Sequence, residues 1–148
     1  MSTTSISIDA TPADVFATLA DGWTYSNWVV GTSHIRAVDA EWPAPGTRLY
    51  HAVGAWPLIT RDVTEVRSVT AHKRMVLLAC GSRMGNAVVT VDLEPDGTGT
   101  RVTMHERPES GPARWLHSPL NEALLARRNY ESLMRLRATV ERRTTPSE

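Results

Sequence analysis

Apolar and polar positions alternate with a period of two through most of this chain, broken by a short helical stretch after the first strand and by a long one near its end. The alternation predicts strands over residues 5–9, 33–40, 47–54, 58–69, 75–81, 86–94 and 100–107. Between the first two strands, Thr11-Pro12-Ala13-Asp14 is a helix start: Thr11 caps, Pro12 sits where a missing amide costs nothing, and Asp14 completes a short capping box. Val15, Phe16 and Leu19 then face inward, and residues 21–28, with Trp23, Tyr25 and Trp28, form a second short helical turn. The last element is a long amphipathic helix over 118–143, capped by Ser118, with Leu120, Ala123, Leu124, Tyr130, Leu133, Met134 and Val140 on its apolar stripe.

The separators are short and turn-rich: Pro43-Ala44-Pro45-Gly46, Asp96-Gly97-Thr98-Gly99, and a hairpin bend at Met84-Gly85-Asn86 that needs a positive dihedral at the glycine. Short connections make consecutive strands antiparallel neighbours. A long helix whose only available partner is such a sheet lies across its concave face, an arrangement that encloses a cavity. The chain is expected to be one domain over 1–148, with 144–148 as a frayed tail.

Composition narrows the function. Sixteen Lys and Arg balance sixteen Asp and Glu, so no global field draws in nucleic acid or an anionic membrane. No run of about eighteen apolar residues exists to support stable membrane insertion, and residues 1–9 lack a basic stretch followed by an apolar core. A cytoplasmic protein, monomeric or homodimeric, is the expectation. Cys80 is the single cysteine, which excludes an internal disulfide and a thiolate metal cage and reads as a buried, inert thiol. His34, His72, His105 and His117 share no metal-ligand spacing, and neither a phosphate-cradling glycine loop nor a Gly-x-Ser-x-Gly elbow occurs, so neither a metal nor a cofactor is expected.

The order of strand, two short helices, six strands and long helix carries a family likeness. So do Ile8-Asp9-Ala10-Thr11-Pro12-Ala13-Asp14-Val15-Phe16, Trp28, and Gly99-Thr100-Arg101-Val102-Thr103. Together they resemble the helix-grip fold of the SRPBCC superfamily, the START-like, pollen-allergen-like and polyketide-cyclase-like proteins. The resemblance spans essentially the whole chain. It implies an α+β fold in which a curved seven-stranded antiparallel sheet wraps a long C-terminal helix, with two short helices between strands 1 and 2. It also implies a hydrophobic ligand between sheet and helix, in members that range from lipid carriers to aromatase/cyclases.

Strand parity sorts the sheet faces independently. Ala87, Val89, Val91 and Leu93 form one apolar face; Val102, Met104 and Glu106 lie inward on the next strand; Leu58, Thr60, Asp62, Thr64 and Val66 lie inward on the long one, where a bulge would exchange Asp62 for Arg61. His51 shares the inner face with Leu49 and Val53. Two carboxylates and an imidazole thus fall on an otherwise aliphatic face. Desolvation demands partners for them, and the sequence offers Arg83, Arg127 and Arg137, with Asn129 at the border of the buried side of the helix.

Three functions fit. The first is binding of a small hydrophobic or aromatic molecule, lipid- or polyketide-like, with Trp28, Trp56, Thr64, Met104, Arg83, Arg127, Asn129 and Tyr130 around it. The second is a polyketide cyclase, aromatase or dehydratase in which His51 with Asp62 or Glu106 moves the proton. The third is a protein-interaction module, suggested by the arginines at 127, 128, 135, 137, 142 and 143. A purely structural polar network is the alternative to all three.

Overall fold

In the computed structural model, residues 2–54, 57–81, 85–115 and 118–145 are described. Seven strands form one antiparallel sheet: β1 (Ser2–Ile8), β2 (Thr32–Val38), β3 (Arg48–Val53), β4 (Thr60–Thr70), β5 (Arg74–Gly81), β6 (Gly85–Asp96) and β7 (Gly99–Pro108). Their order across the sheet is β1-β7-β6-β5-β4-β3-β2. Six of the seven strands therefore run as a simple meander, and β1 crosses to the far edge to pair with β7. Its crossing is made by α1 (Pro12–Ala20), a 3-10 turn (Gly22–Thr24) and α2 (Tyr25–Trp28). The last element is α3 (Pro119–Thr144). Among the described residues, no helix is long and apolar enough to cross a membrane.

The predicted punctuation works as its chemistry requires. The Thr11 side chain accepts from the Asp14 amide and that of Ser118 from the Asn121 amide, each at the start of a helix whose first turn holds proline. Gly85 has φ +90°, and a Cβ there would collide with the Ser110 carbonyl, so only glycine fits the bend into β6. A Cβ on Gly22 would lie 2.8 Å from Val38 Cγ1, which is how closely the crossing segment rides over β2. The first strand begins earlier than its alternation suggests, because Ser2, Thr3 and Thr4 pair with Glu106, His105 and Met104 of β7. A ladder partner extends a strand through polar residues that no apolar period marks.

Register shifts between β2 and β3, and between Val66 and Ser68 opposite β5, bend the sheet into its concave shape. The shift in β4 falls after Asp62 and Thr64, so their inward parity survives. The core is one cluster, including Ile8, Val15, Leu49, Met75, Leu133 and Leu136, packed between the concave face, α1 and the second half of α3. Trp42 joins it, with Nε1 donating to the Leu19 carbonyl at 3.4 Å.

The helix agrees with the expected stripe at Leu133 and Val140 and departs from it in its first half. Leu120, Leu124 and Tyr130 are 68%, 56% and 50% exposed, whereas Asn129, Ser132, Leu133, Leu136 and Val140 are buried. The expected stripe assumed an apolar inner face along the full length. Only the second half of α3 lies on packed core; the first half spans open space, where polar side chains can face inward.

Candidate functional site

That space is a cavity of about 600 Å³ between the sheet and the first half of α3. Its floor is aliphatic, with Leu77, Ala79, Val89 and Met104 from β5, β6 and β7, and its roof includes Leu125 and Ser132 of α3. Tyr25 and Trp28 of α2 form a side wall, their rings edge-on at 5.2 Å. Exposed Leu58, Asn121 and Glu122 line it where it meets solvent.

One region of the wall is polar. His51 Nε2 is hydrogen-bonded to Thr64 Oγ1 at 3.0 Å, and its ring lies 5.6 Å from that of Tyr25. His51 and Asp62 share one face by strand parity, and the register makes them direct cross-strand partners. Burial pushes the His51 pKa below its ordinary 6.5; Asp62 opposes the shift and Arg36 adds to it. The imidazole is thus uncharged at neutral pH. Burial also pushes the Tyr25 phenol up, an effect that its hydrogen bond with Thr64 opposes, Glu106 reinforces and Arg128 opposes. Burial likewise raises the Cys80 thiol, which keeps it protonated and a poor nucleophile.

Across the cavity, Arg128 Nη2 donates to both Glu106 oxygens, at 2.8 and 2.6 Å, and reaches Asn129 Oδ1 at 3.4 Å. Ser132 Oγ accepts from the Val30 amide at 3.1 Å and ties the helix to the segment after α2. His51 Nδ1 and Asn129 Nδ2 are both buried and have no hydrogen-bond partner among the described residues.

His51, Asp62, Glu106, Trp28, Thr64, Met104 and Asn129 all line this one cavity. Arg127 and Tyr130 do not: both are exposed and face away, a consequence of the altered helix phase. Trp56 and Arg83 fall outside the described residues. Arg137 borders a separate shallow groove beside β1, and Trp23 is exposed away from the cavity. The guanidinium that matches Glu106 is Arg128, which the sequence pattern did not place inside. Counting back from Val140 through Leu136, Ser132 and Asn129 would have put Arg128 and Leu125 on the inner side; Leu120 and Leu124 misled the phase.

The family described as polyketide cyclase / dehydrase and lipid transport matches residues 2–141. Comparison with curated proteins gives no match. Among solved structures, TTHA0849 from Thermus thermophilus aligns with a TM-score of 0.74 at 19% identity, covering 97% of this chain and 99% of that one. Ara h 8.0201 aligns with a TM-score of 0.70 at 12% identity over 95% and 96% of the two chains. DynU16, a putative protein in the dynemicin biosynthetic locus, gives 0.67 at 20% identity, covering 95% of this chain and 46% of that longer one. At these identities the likeness is one of fold.

Proposed function

Because the chain belongs to the polyketide cyclase / dehydrase and lipid transport family, within the SRPBCC superfamily, we propose that it binds a small hydrophobic or aromatic molecule between sheet and helix. The observation that carries this reading is the cavity of about 600 Å³, within the range of about 300–1,000 Å³ usual for small-molecule sites. Its aliphatic floor, aromatic side wall and few clustered polar groups match the general pattern of such sites, in which apolar area supplies affinity and polar atoms orient the guest. Native mass spectrometry of the protein as purified, followed by displacement of a bound fluorescent fatty acid, tests it. Saturable one-to-one displacement by flat hydrophobic compounds is expected; a protein that takes up neither probe nor compound overturns the reading.

A second reading, cyclase or dehydratase activity, is favoured by the uncharged His51 beside Asp62. Enolisation or loss of water from a polyketide-like chain needs a group that takes a proton and a shape that folds the substrate. His51 would accept the proton and Asp62 would steady the resulting imidazolium. Glu106 is the weaker partner for this role, since Arg128 engages both of its oxygens. The place of DynU16 in a biosynthetic locus agrees with this direction. Replacing His51 by Ala should lower turnover about a hundred- to ten-thousandfold, and unchanged turnover removes it from the mechanism. Of the six arginines behind the interaction-module reading, Arg128, Arg135 and Arg143 pair with Glu106, Glu131 and Asp21 of the same chain.

A further inference from the structure

The cation in the cavity roof is engaged on one side only. Asn121, Leu125, Arg128 and Ser132 stack along one face of α3, three or four residues apart, and all of them line the cavity. The Arg128 side chain is 46% exposed, whereas that of its partner Glu106 is 10% exposed. The carboxylate is therefore the buried member of the pair, and the guanidinium covers it from the open side. Every hydrogen bond that Arg128 donates to a described side chain leaves from a single nitrogen: Nη2 reaches Glu106 Oε1 and Oε2 at 2.8 and 2.6 Å and Asn129 Oδ1 at 3.4 Å. The usual fork grips a carboxylate with two nitrogens and uses a whole edge of the plane. Here one corner holds Glu106, and Nη1 and Nε make no hydrogen bond to the described residues. Those two nitrogens carry about three of the five N–H groups of a guanidinium.

We propose that Arg128 is the specificity contact of this cavity, its open edge donating to the carbonyl oxygen of an uncharged aromatic ketone or ester whose carbon skeleton lies on the aliphatic floor. The proposal rests on the hydrophobic-cavity reading and adds the chemistry of the guest. A guanidinium only donates, so the matching group must accept. A carbonyl oxygen that leaves water for this apolar space needs a donor, and Arg128 offers one that solvent and guest can both reach. The charge balance then selects a neutral acceptor over an anion. Asp62, Glu106 and Glu122 already line the space, and Arg128 is the one guanidinium among its described lining residues. A carboxylate on the guest would share that cation with Glu106 at close range, and like charges brought together in a partly desolvated place repel. The Tyr25–Trp28 wall favours a flat ring system beside the carbonyl.

Equilibrium dialysis with ethylnaphthalene, naphthyl methyl ketone and naphthoate, all substituted at the same carbon, tests the assignment on one skeleton. The double variant Arg128→Met with Glu106→Gln removes the donors, keeps the aliphatic stem and leaves no carboxylate buried without its cation. Glu106→Gln alone keeps the guanidinium and serves as its control. Relative to ethylnaphthalene, the ketone should weaken about tenfold in the double variant and hold its place in the control; tenfold is the low end for a hydrogen bond from a charged donor, as befits a half-exposed one. Naphthoate should bind wild type less tightly than the ketone and gain on it in the control. A ketone-to-hydrocarbon ratio unchanged in the double variant overturns the contact, and naphthoate bound more tightly than the ketone by wild type overturns the uncharged class. Should the variants fail to fold, nitrogen-15 NMR of the wild-type protein decides: the ketone, and not ethylnaphthalene, should move the Arg128 side-chain signals, and the absence of that shift overturns the proposal. If no naphthalene compound binds while the fluorescent fatty acid still does, the contact falls and the cavity reading stands. If neither binds, both fall.

Discussion

His51 links one buried ring to the behaviour of the fold with pH. Burial, against the opposing pull of Asp62, depresses its folded-state pKa below the 6.5 of an exposed imidazole. Below that unfolded value the unfolded chain binds the proton more readily than the folded one. The contribution of His51 is therefore fully present above pH 6.5 and is lost as pH falls through the lower folded value. Urea unfolding at about pH 7.5 and about pH 5.5 should show His51→Gln losing less stability on acidification than wild type. Equal losses would mean that the ring is not desolvated as described. At this scale the sequence was informative wherever parity applied. Glu106 follows Val102 and Met104 on one face, and Thr64 follows Asp62, so their inward positions were legible. Arg128 was not, because a helical residue's direction depends on a phase that must be anchored by contacts elsewhere.

Among the elements, α3 gives the clearest case of a pattern misread. Leu120 and Leu124 look like core positions in isolation, and helical spacing ties them to Arg127 and Tyr130. The structure anchors the helix through Leu133 and Val140, which the expected stripe included, and Leu136, which it omitted, all fully buried. Leu136→Ala should cost about 2–5 kcal/mol, whereas Leu124→Ala should stay within about 0.5 kcal/mol of wild type. Chemical denaturation of the two variants compares them directly, and similar losses would restore the sequence-derived phase. Strands were more legible than this helix because sheet parity repeats every two residues and each ladder checks its neighbour. Their ends were less so: β1 reaches back to Ser2 on the strength of pairing with β7, which no local property of Ser2 or Thr3 announces.

On the scale of the whole molecule, the order of strands and α-helices was readable and with it the expectation of a cavity, but how much of that space stays open was not. A pattern says which side chains point inward; whether they meet in the middle depends on how far the bulged sheet bends away from the helix. A substitution that adds volume should discriminate between packed and open regions. Ala79 lines the cavity on β5, so Ala79→Phe should enter existing space, leave the thermal midpoint within a few degrees, and lower affinity for flat hydrophobic compounds at least about tenfold. A loss of about 1–3 kcal/mol, the usual result of overpacking a filled core, would show that the space is not open.

The uneven seating of α3 has a mechanical consequence. Its second half is moored by Leu136 and Val140, by the Glu141 carboxylate on the Asp9 amide at 3.2 Å, and by Arg143 on Asp21 at 3.3 Å. Its first half lies over the void and reaches the sheet through the half-exposed Arg128 on Glu106. The rod is therefore a cantilever, stiff at the shoulder and compliant at the tip, and the tip stands over the opening. Hydrogen–deuterium exchange should run faster across 122–130 than across 133–142, and a guest should slow only the former. Uniform exchange along the rod would mean that access to the interior is controlled by the rim of the sheet.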